Sequence, residues 1–407
     1  MLFGKFSQER FSRWGEVLFC LGMAMLLVLS EVFSSNIQST LPEFSHLARL
    51  ALTGGGVLLL GCKCLFFTRY TARWQPAVIA LCLAYAGFAV WYGDDIWFFL
   101  AVLAGFAAYG VDLRRSLQVY LAVAIAGVLL VQLLHLLTPL VPFGFYCRNW
   151  DYGYGHYNGY GARLWGIFVA WGWLRWPRLR WFDWAGLATL LVYTALFPGA
   201  RGAMCGMLLL LLLFVLARLA PRLFRTRVWQ GLVLAAYPLL TAVSLLLGWF
   251  FDPERPTLTP LLAKVNSLLS GRLEIWHHVF WSFPYTHPAE DGMAAWYHDG
   301  LPNTLTLLGG LVTDGDVHHA MDNTYLALIM NKGILGAVLL AVGVVFLIRR
   351  LGRRGRTGEL LCVTAMLAYL LMENKPFLIS ANPLFLLLPV LLVPRGEPLP
   401  QIRRDTE

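Results

Sequence analysis

A few ionisable side chains stand apart from the basic clusters of this chain and lie at the edges of long apolar runs. Arg201 sits in the turn Phe197-Pro198-Gly199-Ala200-Arg201-Gly202-Ala203, directly before such a run. A helix beginning there presents unpaired N–H groups and the positive end of its dipole, so an Arg beside them makes a site for an anion, phosphate above all. The alternative is an Arg whose stem lies along lipid while its head reaches the headgroups. Arg272 falls within 261–280, where Leu262, Val265, Leu269, Leu273 and Trp276 follow helical spacing. Position 272 shares that apolar face, whereas Glu274, His277 and His278 are expected to point away from it. A charge on an apolar face needs a partner. That partner is either a ligand or an internal carboxylate such as Asp322 or Glu373.

His318 and His319 follow Asp314-Gly-Asp316 and precede Asp322-Asn323. Histidine titrates near neutrality, so one of the pair suits a general base. Asp-x-Asp with His also suits a divalent cation, and a plain solvated loop is the third reading. Residues 145–160 hold Tyr146, Trp150, Tyr152, Tyr154, Tyr157 and Tyr160, which fit either a sugar platform or an aromatic membrane belt. Arg163 follows as a further cation expected to face outward. The seven cysteines show no zinc-ligand spacing and no disulfide framework.

The elements that carry these residues follow from composition. Of 407 residues, 58% are hydrophobic and only 14% charged, against about 25% charged in soluble domains. Mean hydropathy is +0.62. A soluble enzyme, a disordered chain and an outer-membrane barrel are excluded, leaving an all-α polytopic membrane protein. Apolar runs at 14–35, 46–67, 76–93, 96–111, 115–137, 162–176, 182–198, 202–219, 228–250, 323–348, 358–373 and 376–394 predict twelve transmembrane helices. Every second connection is basic: Lys63 to Arg73, Arg114 and Arg115, Arg175 to Arg180, Arg218 to Arg227, Arg349 to Arg356, and Arg395 to Arg404. Lys and Arg mark cytoplasmic loops, so both termini are expected in the cytoplasm. The net charge of +9 is read as topology rather than nucleic-acid binding. Two larger segments then face the other side, the aromatic loop 138–161 and the loop 251–322 with its amphipathic helices. Neither makes a separate soluble domain, and 1–407 is expected to be a single integral membrane domain.

Outward-facing arginines at the bilayer surface suggest a lipid-linked diphosphate, whose leaving charge they would stabilise. The motifs resemble those of the O-antigen ligase and polymerase superfamily. Arg201-Gly202-Ala203 is similar to its Ser-Arg-Gly-Ala turn, with Ala200 in place of Ser. Gly271-Arg272 followed by Trp276 resembles its Gly-Arg-x-x-x-Trp signature. Asn323-Thr-Tyr325-Leu326 with Gly333 and Gly336 resembles its His-Asn-x-Tyr-Leu…Gly…Gly element, with Asp322 where the His usually stands. Arg163-Leu-Trp-Gly166 resembles an Arg-x-x-Gly element. The resemblance covers roughly residues 160–340.

It implies a multi-span (GT-C-like), inverting, metal-independent glycosyltransferase of the bacterial inner membrane with a periplasmic active site and no cofactor. The donor would be an undecaprenyl-diphosphate-linked O-antigen glycan and the acceptor the lipid A–core oligosaccharide of lipopolysaccharide. Arg201, Arg272 and Arg163 would hold the diphosphate. His319, or else His318, would activate the acceptor hydroxyl, with Asp322, Asn323 and Tyr325 in support. An O-antigen polymerase using the same donor is the nearer alternative. A lipid-linked oligosaccharide transporter is the alternative from another class, although no repeat or paired broken helices appear in the sequence.

Overall fold

The computed structural model describes residues 8–93, 96–146, 149–251, 260–269, 271–280, 285–288, 294–296 and 322–394. The described residues are mostly helical, with two short antiparallel hairpins among them. The α-helices are α1 (Gln8–Glu31), α2 (Ile37–Thr40), α3 (Pro42–Phe66), α4 (Trp74–Gly93), α5 (Ile96–Ala107) and α6 (Leu113–Leu137), followed by α7 (Tyr157–Arg175), α8 (Trp181–Leu196), α9 (Arg201–Leu219) and α10 (Arg227–Phe250). Then come α11 (Pro260–Leu268), α12 (Arg272–Phe280), α13 (Thr324–Arg353) and α14 (Thr357–Leu370). Strands β1 (Phe145–Tyr146) and β2 (Asn149–Trp150) pair Phe145 with Trp150, and β3 (Tyr285–Pro288) pairs with β4 (Ala294–Trp296).

Among the described residues, seven helices are long and apolar enough to cross a membrane. They lie in α1, α3, α4, α6, α9, α10 and the 331–353 part of α13. Three further apolar helices are shorter. α5 has 12 residues and α14 has 14, which at 1.5 Å per residue give about 18 and 21 Å against a hydrocarbon core of about 30 Å. The run at 376–394, expected as a span, is not an α-helix: Pro383–Leu391 forms a 3-10 helix of nine residues. Pro389 inside it has no N–H to donate and would clash with an α-helical turn. The Asn382 side chain starts this segment by accepting from the Leu384 N–H at 3.0 Å.

The chain divides into two compact units. The first takes in Met1–Thr226, Arg350–Ala365 and Phe377–Glu407; the second takes in Arg227–Arg349 and Met366–Pro376.

In the first unit α1 packs on α3 and α6, and α7 packs among α6, α8 and α9. Of the 19 residues of α7, 15 are buried, so it forms the middle of the unit rather than a lipid-facing span. Its buried stripe includes Trp165, Phe168 and Trp173. Gly166 makes this possible at one point: a Cβ there would lie 2.0 Å from the Ser380 carbonyl oxygen. The Tyr120 hydroxyl donates to that same oxygen at 2.6 Å. Side-chain caps set helix starts, with Asp112 accepting from the Arg114 N–H and His156 from the Asn158 N–H. α7 therefore begins at Tyr157, inside the segment 138–161 expected as loop.

In the second unit α10 packs on α12. Phe251, Leu273, Trp276, Leu326 and Ala327 form its buried cluster. Gly333, at φ 70 and ψ 175, kinks α13.

Candidate functional site

Arg201 is the first residue of α9, and it is exposed. Ala200 at the N-cap offers no side-chain acceptor to the first turn. The turn before it is shaped by Gly199 at φ 62, whose N–H donates to the Thr194 carbonyl at 3.1 Å. Any other residue there would be strained, and its Cβ would lie 3.1 Å from the Asn149 side-chain oxygen. The β1–β2 hairpin thus abuts the turn that carries Arg201. On that hairpin Phe145 and Trp150 are 63% and 50% exposed, edge to face at 5.2 Å. The tyrosines behave differently. Tyr154 and Tyr160 are buried and stack at 5.7 Å, and the Tyr160 hydroxyl lies 3.1 Å from that of Tyr193.

Arg163 does not face outward. Its guanidinium is enclosed in the first unit, with Nε 3.2 Å from a Glu31 carboxylate oxygen. Nη1 donates to the Gly159 carbonyl and Nη2 to the Ser30 carbonyl, both at 2.8 Å. The cationic carbon also sits 4.0 Å from the centre of the Tyr154 ring. Burial pushes the Tyr154 phenol well above its usual range, with Glu31 adding to the rise and Arg163 opposing it. The phenol therefore stays neutral over Arg163. Glu31 was not singled out in the sequence, although an acid ending an apolar run is a signal in its own right.

Arg272 opens α12 and is buried in the second unit. Nη2 lies 3.5 Å from Asp322 and 3.6 Å from Glu373, and Nη1 donates to the Leu269 carbonyl at 3.4 Å. The internal carboxylate partners weighed for this Arg are therefore both present. Glu373 is buried and Asp322 is about a third exposed. An anion approaching Arg272 meets two competing carboxylates.

His277 corrects the expectation that it points away. It is buried, and its Nδ1 lies 3.2 Å from the Gly248 carbonyl. Leu273 and Trp276 are fully buried beside it. Position 277 is one helical step of four from Leu273, so the two share a face. Glu274 is exposed as expected.

The Asn323-Thr324-Tyr325 segment builds the start of α13. The Asn323 side-chain oxygen accepts from the N–H groups of Tyr325 and Leu326, while its amide donates to Ser244 at 3.0 Å. Thr324 donates to the Glu373 carbonyl and Tyr325 to the Leu367 carbonyl. Asn323 is thus an N-cap, which holds neighbouring Asp322 beside Arg272. His318, His319, Asp314 and Asp316 lie outside the described residues.

The chain matches no protein-family model, no curated protein and no solved structure. What the described residues define is a helical protein with membrane-spanning character, an exposed Arg at an apolar helix start, and two buried Arg–carboxylate clusters.

Proposed function

We propose that this protein is a membrane glycosyltransferase that moves an O-antigen glycan from undecaprenyl diphosphate to the lipid A–core oligosaccharide. The observation that carries the reading is Arg201, exposed on the first residue of an apolar 19-residue helix whose N-cap residue lacks a side-chain acceptor. A guanidinium at the positive end of a lipid-embedded helix suits a diphosphate whose prenyl tail remains in hydrocarbon. The exposed Phe145–Trp150 pair on the adjoining hairpin supplies apolar faces of the kind that sugar rings stack on.

In the proposed step the acceptor hydroxyl attacks the anomeric carbon of the donor glycan. The new C–O bond forms as the bond from that carbon to the diphosphate oxygen breaks, with inversion. The hydroxyl proton passes to His319, and undecaprenyl diphosphate leaves with the electron pair. Arg201 stabilises the charge gathered on the leaving diphosphate. The resemblance gives Arg272 a share in the same task. Both termini lie in the cytoplasm, and the reaction is on the periplasmic face of the inner membrane.

The test is turnover: purified protein, lipid-linked glycan and core acceptor, with the product measured with and without a chelator. The expected result is transfer that the chelator does not affect. Glycan joined only to a second lipid-linked glycan would instead show a polymerase. Lipid movement across vesicles with no transfer would show a transporter.

A further inference from the structure

At the end of α9 opposite Arg201, the first unit carries a second concentration of positive charge. Arg201 and Arg218 are separated by 17 residues of one helix, about 26 Å at 1.5 Å per residue. There Arg178, Leu179, Arg180, Trp181, Trp184 and Arg218 line an open cavity of about 530 Å³. The three arginines are exposed. Arg218 donates to the Leu179 carbonyl at 2.8 Å, which fixes its head at the rim. Trp181 and Trp184 are three residues apart in the first turn of α8, so their indoles share a face.

The charge here is unbalanced. Asp183 is the one acid in residues 171–226, and it is already committed. It accepts from Arg175 Nε at 3.0 Å and Nη2 at 3.2 Å, from the Trp171 indole at 3.1 Å, and from the Arg180 N–H at 2.8 Å. Its side chain is buried away from the cavity rim. Among the described residues no carboxylate pairs with Arg178, Arg180 or Arg218.

The surroundings point to the chemistry of the occupant. Trp181 is 80% exposed, and Leu219, Leu223 and Phe182 are exposed too. Guanidinium groups next to bare apolar side chains fit a ligand that is anionic at one end and hydrocarbon at the other. We propose that this cavity binds the phosphate headgroup of an anionic membrane lipid. The arginines take the phosphate oxygens, and Trp181 and Leu219 lie along the glycerol and upper acyl chains. The site does not depend on the transfer reading and is distinct from the Arg201 turn.

Full-length protein in mixed micelles of phosphatidylglycerol and phosphatidylcholine tests this, with retained lipid counted by native mass spectrometry. Wild type is expected to keep phosphatidylglycerol about a hundredfold over phosphatidylcholine, since three arginines near the headgroup each add roughly a fivefold preference. Arg178→Gln with Arg180→Gln leaves the Arg218–Leu179 bond in place and is expected to cut that preference to about fivefold, the share of the remaining Arg218. Arg222→Gln with Arg225→Gln removes equal charge outside the cavity lining and is expected to change it less than twofold. Equal losses in the two double variants would overturn the site, because bulk charge would explain them. Excess inorganic phosphate is expected to leave the lipid bound; displacement by it would show a site for free phosphate and end the lipid assignment. Should the first double variant not fold, Trp181→Ala carries the test, with an expected loss of about threefold. Unchanged retention in Trp181→Ala would contradict the proposal.

Discussion

The Arg163 guanidinium lies 3.2 Å from the Glu31 carboxylate, and the two side chains are 4% and 0% exposed. They come from α7 and α1, far apart in the sequence. Breaking a buried pair by removing one partner strands the other charge, at a cost of about 3–5 kcal/mol. Glu31→Ala and Arg163→Ala are each expected to lower the thermal unfolding temperature of the purified protein sharply. The double variant should lose less than the two losses added. Additive losses would mean that the two groups do not act as a pair.

Asn323 caps α13 and also bonds to Ser244. Loss of an N-cap costs about 1 kcal/mol, and a buried hydrogen bond adds about 1 kcal/mol. Asn323→Ala is expected to destabilise the protein by about 2 kcal/mol in denaturant titration, and Asn323→Asp by less, because the aspartate still caps. Equal losses for Ala and Asp would show that the cap contributes nothing.

Arg272 has carboxylates from Asp322 and Glu373 on one side of its guanidinium. If donor diphosphate displaces one of them, neutralising that competitor tightens donor binding. Asp322→Asn is expected to lower the donor KM several-fold with little change in kcat, because Asp322 is partly exposed and isosteric with Asn. Arg272→Ala is expected to remove transfer and also destabilise the fold, since it leaves buried Glu373 without its guanidinium. Transfer at the wild-type rate in folded Arg272→Ala would take this residue out of the reaction.

The histidines are separated by rate. His319→Ala is expected to cut kcat by about a hundredfold or more while donor binding changes little, as for loss of a general base. If His318→Ala is the damaging change instead, the base is the preceding residue.

The apolar helices were legible because hydropathy over some twenty residues is a local property, and seven of the runs reappear as helices of membrane length. Length was less so. The run at 376–394 is as apolar as the others, but Pro383 and Pro389 turn its core into a 3-10 helix, and α14 ends at Leu370. For the site, Arg201 was readable from its turn. The carboxylates around Arg272 were legible as candidates, because an Arg on an apolar face needs an acid and few acids exist. Glu31 was not tied to Arg163, since pairing between distant helices depends on how they pack. His277 was misplaced because alternate helix faces blur where the buried stripe is wide enough to take in Leu273, Trp276 and position 277 together.

The most direct measurement is glycan transfer from undecaprenyl diphosphate to core acceptor by Arg201→Ala and Arg201→Lys, compared with wild type in the same membranes. Arg201 is exposed, so both variants are expected to fold and insert normally. Ala is expected to lose transfer by at least about a hundredfold, as for removal of an oxyanion-stabilising donor. Lys is expected to be strongly impaired as well, because a point charge does not reproduce two parallel N–H bonds. Transfer at the wild-type rate in Arg201→Ala would contradict the account at its centre.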